Sequence, residues 1–388
     1  MSDSTSDPTH GQPIAVDLSA EKQSTDRLEG LRMRKFFKTA IDHKASDLLI
    51  KADIKVRLRL RGDLRELDAD PFTPAELEES IEHLLSPAQL EHFKSHGSVD
   101  VAYAFDADNR FRVNVFRARG STALAARRVS SEILTYEQLH LPPSIAKIAE
   151  ARQGLILLCG VTGSGKSTTI ASMINQVNHT RPCHIVTIED PIEYIFKDAK
   201  ALVNQREIGV DVPNFAEALR ALVRENPDVV LIGEMRDRET FEAAVQAAET
   251  GHLVFGTIHA SSASQAFNRV YNLFPPEERE LIREMFASTM KAIVYQKLLP
   301  TLHEDIHRVP AVEVLLHSPV VQKYIADGRE AELNDVIRGA RQEGMMDFTS
   351  CLVDLVEKEY IHPRVAMANA FNEDELKMRL KGIRTGAG

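Results

Sequence analysis

The segment Gly160-Val161-Thr162-Gly163-Ser164-Gly165-Lys166-Ser167 has the spacing G-x-x-x-x-G-K-[ST], a pattern whose chemistry is the holding of phosphates. Glycines at Gly160, Gly163 and Gly165 let bare backbone wrap its amides around an anion, and the helix that follows adds the positive end of its dipole. Lys166 supplies a point charge for β and γ phosphates, Ser167 offers a hydroxyl to Mg²⁺, and Thr162, Ser164 and Thr168 belong to the same loop.

Acids and histidines cluster around three further apolar runs. Ile185 to Ile188 leads into Glu189, Asp190, Pro191 and Glu193, and Val229 to Ile232 leads into Gly233 and Glu234, where an acid can reach Mg²⁺ through water. His252 precedes the run Leu253 to Phe255 and His259 follows it, so the two cannot share one strand end. Phosphoryl transfer to water needs an aligned water and cations for the developing charge, and little covalent chemistry is left to the protein. One carboxylate suffices for the water. Arg112, Arg117, Arg119, Arg127 and Arg128, on basic strand faces, are the candidate cations, whereas Arg57, Arg59 and Arg61 read as a solvated face.

The elements that must position these groups are legible in part. Leu155 to Cys159, Ile185 to Ile188, Val229 to Ile232 and Leu253 to Phe255 are continuous apolar runs separated by helical stretches, the pattern of buried parallel strands. Such sheets take ligands at the carboxyl ends of their strands. After the loop, Ile170, Met173, Ile174 and Val177 mark one face of a helix. Upstream, Lys55 to Arg61 alternates with period two before Gly62-Asp63. Phe111, Val113 and Val115 alternate likewise after the turn at 106–109, and helical spacing runs from Pro74 to His96. The reading is an α/β protein. Residues 1–30 form a disordered tail, 31–138 a small α+β domain, 139–330 the phosphate-binding core and 331–388 a region of amphipathic helices that includes Phe348, Cys351, Leu352 and Leu355.

At about 150 residues per domain, 388 residues suit two or three domains. The net charge of −10 argues against a general binder of nucleic acid, including a nucleic-acid motor. No apolar run approaches the length that spans a bilayer, and Cys159, Cys183 and Cys351 are too few and too far apart for a disulfide framework or a zinc knuckle. A reducing cytoplasm is expected.

Several strings together resemble the type IV pilus and type II secretion ATPases, most closely the pilus-retraction branch known as PilT and PilU. They are Ala45-Ser46-Asp47-Leu48, Gly160 to Thr169, Thr187 to Tyr194, Val203 to Glu207, Gly233 to Asp237, and Ala247 through His259. The likeness spans about residues 31–360. It implies a PAS-like N-terminal domain and a RecA-like P-loop domain that close around ATP and Mg²⁺ in a cytoplasmic homo-hexamer. The implied work is pilus retraction against an inner-membrane platform protein, with a paralogous retraction ATPase as a further partner and with peripheral attachment to the inner membrane. The resemblance implies Glu193 as the base that activates water, Glu234 as the Walker B acid, His252 and His259 as a histidine pair, and Arg112 and Arg127 as nucleotide-sensing arginines. The chain departs from the branch at Val320 to Asp327, where an Ala-Ile-Arg-Asn-Leu-Ile-Arg-Glu string is the family pattern. That departure supports a second reading, a nucleotide-binding accessory subunit of a pilus or type II secretion motor that does not act alone. The tetracysteine zinc site and the long extra N-terminal domain of extension ATPases are missing from the sequence, which disfavours an assembly motor.

Overall fold

The computed structural model describes residues 27–382 apart from Arg61, Ala107, Ser130, Ser131 and Val223. The expected tail lies outside the described residues as far as position 26, whereas Leu28 is buried in the N-terminal core and belongs to the folded part.

The first unit runs α1 (Arg32–Asp42), β1 (Asp47–Lys51), β2 (Arg57–Leu60), β3 (Asp63–Glu66), α2 (Pro74–Leu84), α3 (Pro87–His96), β4 (Ser98–Ala104), β5 (Arg110–Ala118) and β6 (Ser121–Val129). Its strands form one antiparallel sheet in the order β3-β2-β1-β6-β5-β4. Period-two alternation sets the faces: Phe111, Val113 and Val115 point into the core, and Arg110, Arg112 and Asn114 point away from it. Phe37 of α1 closes that core, meeting Tyr103 and Phe111 edge-on with ring centroids 4.7 and 4.8 Å apart. The single helix expected over 74–96 is two. Pro87 cannot continue a helix because it lacks the N–H, but it suits a first turn. Ser86 accordingly starts α3 with a capping box to Gln89, just as Thr73 starts α2 with one to Glu76.

The second unit runs α4 (Pro143–Ile148), β7 (Gly154–Cys159), α5 (Lys166–Thr180), β8 (His184–Glu189), β9 (Leu202–Glu207), α6 (Phe215–Leu222), β10 (Val229–Ile232), α7 (Arg238–Glu249), β11 (Leu253–Ile258), α8 (Ala263–Tyr271), α9 (Arg279–Thr289), β12 (Met290–Pro300) and β13 (Arg308–Leu316). The sheet order is β13-β12-β7-β11-β10-β8-β9, with all neighbours parallel except β13 against β12. Every residue of β7, β10 and β11 is buried, because helices cover both faces, and this is why these strands read as unbroken apolar runs. Ile170, Met173, Ile174 and Val177 of α5 are buried with them.

Five more helices follow: α10 (Pro319–Ala326), α11 (Leu333–Gly339), α12 (Phe348–Glu357), α13 (Pro363–Asn369) and α14 (Glu373–Leu380). Phe348, Cys351, Leu352 and Leu355 face inward from α12 as their spacing predicts, and they join the same core as the parallel sheet. The second unit and its C-terminal helices therefore share one hydrophobic core.

Candidate active site

The phosphate loop leaves β7 at Cys159 and enters α5 at Lys166. Two glycines there have no substitute. Gly160 has φ +149° and a Cβ on it would sit 2.4 Å from the Gln296 backbone oxygen; Gly165 has φ +88° and its Cβ would sit 2.6 Å from Gln296 Nε2. Lys166 Nζ donates to the carbonyls of Gly160 at 2.9 Å and Val161 at 3.1 Å. Burial holds its pKa below the ordinary lysine value, against a raising pull from Glu234.

Around this loop lies a cavity of about 570 Å³, lined by Thr162 through Thr168 and by Glu189, Glu193, Glu234, His259 and Arg127 among others. It opens beyond the carboxyl ends of β7, β8, β10 and β11, where an open parallel sheet takes its ligands. The carboxylates differ in how they are held. Glu189 is 6 % exposed, accepts from Thr187 Oγ1 at 2.7 Å and from Gln205 Nε2 at 3.2 Å, and is pushed up to about 7 by burial. Glu234 is ion-paired to Arg236 at 2.6 Å and approached by His259 Nε2 at 3.0 Å. The Arg236 hydrogen bond holds its carboxyl below the usual range, so it stays ionised. Glu193 is exposed to the cavity. Its backbone is fixed on both sides: Ile192 N–H donates to Glu207 at 3.3 Å, and the Tyr194 carbonyl accepts from Gln205 Nε2 at 2.8 Å.

The structure separates residues that the sequence analysis grouped. His259 reaches the cavity, but His252 stands before β11, bonded to the Ala247 carbonyl at 2.8 Å and lining a different hollow with Leu219 and Gln246. Six strand residues at about 3.3 Å each put roughly 20 Å between the two histidines, so His252 is no part of this cavity. Arg112 and Arg127 are cross-strand partners, yet only Arg127 lines the cavity; Arg112 turns to Asp100 at 3.9 Å. Arg117 stacks over Phe93, Arg128 donates to Asn109, and Arg119 sits in the β5–β6 turn with positive φ. Sequence reasoning missed Gln296 on β12, which touches the loop from underneath, and Arg236, which holds Glu234.

A second buried carboxylate, Glu313 on β13, accepts from the Ala263 N–H at 2.7 Å at the start of α8. Burial pushes it from 4.5 up to about 7. Its folded pKa is raised, so between those values the folded chain holds a proton that the unfolded chain has lost. Its contribution is full below the unfolded value and disappears as pH rises through the folded one. Glu313→Gln keeps the acceptor and cannot ionise. It is expected to remove about 3 kcal/mol of the stability lost between about pH 5 and about pH 8. Urea unfolding at the two pH values measures this, and an unchanged pH dependence would refute it.

Comparison with known proteins identifies the family. The profile of the type II/IV secretion system protein family matches residues 21–345. The chain is 38% identical over 319 residues to a twitching motility protein of Neisseria gonorrhoeae, covering 82% of this chain and 85% of the relative. It is 37% identical over 317 residues to the type IV pilus retraction ATPase PilT of Pseudomonas aeruginosa, covering 82% and 92%. With the type IV pilus ATPase PilU of the same organism the identity is 34% over 351 residues, covering 90% and 92%. Among solved structures, that of the pilus retraction motor PilT with bound ADP superposes with a TM-score of 0.83 at 38% identity, over 89% of this chain and 99% of the other. With the loop, the acids and the sheet order in place, the chain belongs to the type II/IV secretion system protein family, among its pilus-retraction ATPases.

Proposed function

We propose that the chain is a Mg²⁺-dependent ATPase working as a homo-hexameric motor for type IV pilus retraction and twitching motility. The observation that carries this reading is one cavity that gathers Thr162 through Thr168 of the loop, Glu193, Glu234 and His259, with Arg127 reaching it from the N-terminal sheet. Glu193 takes the proton of the attacking water. Glu234 and Ser167 would hold the cation, His259 orients Glu234, and Arg127 joins the developing charge when the two units close. The donor set fits Mg²⁺, which takes few protein ligands and keeps water and phosphate for the rest. Among the described residues no group of three or more His, Cys, Asp or Glu offers a site for a metal without such help. Bound there, the cation would supply positive charge against that of the phosphates.

Closure of the arginine-bearing sheet onto the loop is the step that converts hydrolysis into motion. The load is an inner-membrane platform protein of the pilus, with a paralogous retraction ATPase as a partner. No helix among the described residues is long and apolar enough to cross a membrane, which suits a cytoplasmic ring attached through that partner.

The accessory-subunit reading rests on α10, which carries the departure at 320–327. Val321 and Ile325 are buried there and Val320, Gln322 and Lys323 are exposed, so the departure alters a surface while the core is kept. Particle mass and ATP turnover of the purified chain decide between the two. Six chains of 43.3 kDa each, turning over ATP, support the motor. A chain that binds ATP but is inactive and not hexameric by itself supports the accessory subunit.

A further inference from the structure

Gln296 lies on β12, about 130 residues beyond the loop in sequence, and is 2 % exposed. Its Nε2 donates to the Ser164 carbonyl at 2.9 Å, and its Oε1 accepts from Thr169 Oγ1 at 2.8 Å. The orientation of the carboxamide is not arbitrary. A carbonyl can only accept, so the nitrogen must face Ser164, and the Thr169 hydroxyl then gives its proton to the remaining oxygen.

The Ser164–Gly165 peptide is a single plane with its C=O and N–H pointing in opposite directions. A carbonyl held down onto Gln296 therefore turns the Gly165 N–H the other way, toward the cavity that Gly165 lines. Glycine at 165, with positive φ, gives this peptide little resistance to flipping, and a flip would aim an oxygen at the phosphates instead of a donor. Gln296 and Thr169 together block that flip.

We propose that Gln296 is a positioning residue for nucleotide binding, whose carboxamide fixes the Ser164–Gly165 peptide with its N–H toward the phosphates. The proposal rests on the nucleotide reading of the cavity. A phosphate-loop donor contacts the nucleotide equally in ground and transition states, so its loss raises KM and leaves kcat in place.

The test is Gln296→Glu, the same shape with an oxygen where the donor was, in the full-length protein. Expected are a KM for ATP and a dissociation constant for ADP about 10- to 100-fold higher near neutral pH, with kcat within about threefold of wild type. Affinity should recover as pH falls, because a buried carboxylic acid regains the O–H that the Ser164 carbonyl needs. A merely structural loss lowers the active fraction, hence apparent kcat, and leaves KM unchanged. Should Gln296→Glu fail to fold, Thr169→Val removes the brace that orients the carboxamide. It is expected to raise KM about fivefold, with Thr169→Ser restoring it. Wild-type KM in a folded Gln296→Glu or Thr169→Val protein, beside normal nucleotide binding by the wild type, overturns the positioning role alone. Failure of the wild type to bind ADP or ATP overturns the nucleotide reading as well.

Discussion

Lys166→Ala is expected to abolish ATP turnover, by about a thousandfold or more, while the fold persists. The ammonium is half-buried at the mouth of the loop and rests on the Gly160 and Val161 carbonyls. Both contacts are with loop backbone and neither is a carboxylate pair, so the ammonium can move to phosphate oxygens without breaking an ion pair. Glu234 opposes the effect of burial and helps keep it protonated. A fixed positive charge at the transferring phosphoryl group is among the largest single contributions to the rate, and losing even one neutral donor to charge that develops only in the transition state costs about 10²- to 10³-fold. The aliphatic part of Lys166 packs at the start of α5, where alanine is a good helix former, so the melting temperature should change little. Turnover by a coupled phosphate-release assay, set beside the melting temperature, is the measurement. Wild-type turnover in a folded Lys166→Ala protein would mean that ATP is hydrolysed elsewhere.

How far sequence alone reached this site depended on how local each requirement is. The phosphate loop was legible because its glycines, lysine and serine act within eight consecutive residues, and the strand and helix beside it repeat their own apolar periods. The strands β7, β8, β10 and β11 were legible because both faces are buried. Gln296 was not. It matters only because β12 lies beside β7, a pairing between residues far apart in the chain that no local pattern encodes. β9 was missed for the opposite reason: as the outer strand it carries polar Asn204, Gln205 and Arg206, and its apolar pattern is weak. Arg112 and Arg127 share residue type and register and differ only in the strand that carries them. They sit opposite each other on neighbouring strands, and one strand's width separates Arg127, which lines the cavity while paired to Asp47 at 3.0 Å, from Arg112, which pairs with Asp100. His252 and His259 were separable in principle, since a strand runs between them, but their places in the resemblance grouped them.

Glu193→Gln is the second large effect, and it discriminates among three carboxylates that share the cavity wall. A base that takes a proton from water must be ionised, accessible and free to move toward the water. Glu189 fails on each count: it is buried, tied to Thr187 and Gln205, and its pKa is pushed up to about 7. Glu234 is ionised but committed to Arg236 and His259. Glu193 has an exposed side chain on a backbone anchored through Ile192 to Glu207 and through Gln205 to the Tyr194 carbonyl at 2.8 Å. Rigid backbone and free carboxylate together place a base without locking it. Gln is isosteric and leaves those backbone bonds intact, so binding of ATP and the mass of the particle should match wild type. Turnover should fall about 10²- to 10⁴-fold, the usual worth of a general base. The pattern expected is full occupancy without hydrolysis, which differs from Lys166→Ala, where the phosphates themselves are held less well. Turnover near the wild-type rate in Glu193→Gln, together with its loss in Glu234→Gln, would move the role of base to Glu234 and leave Glu193 as a lining residue.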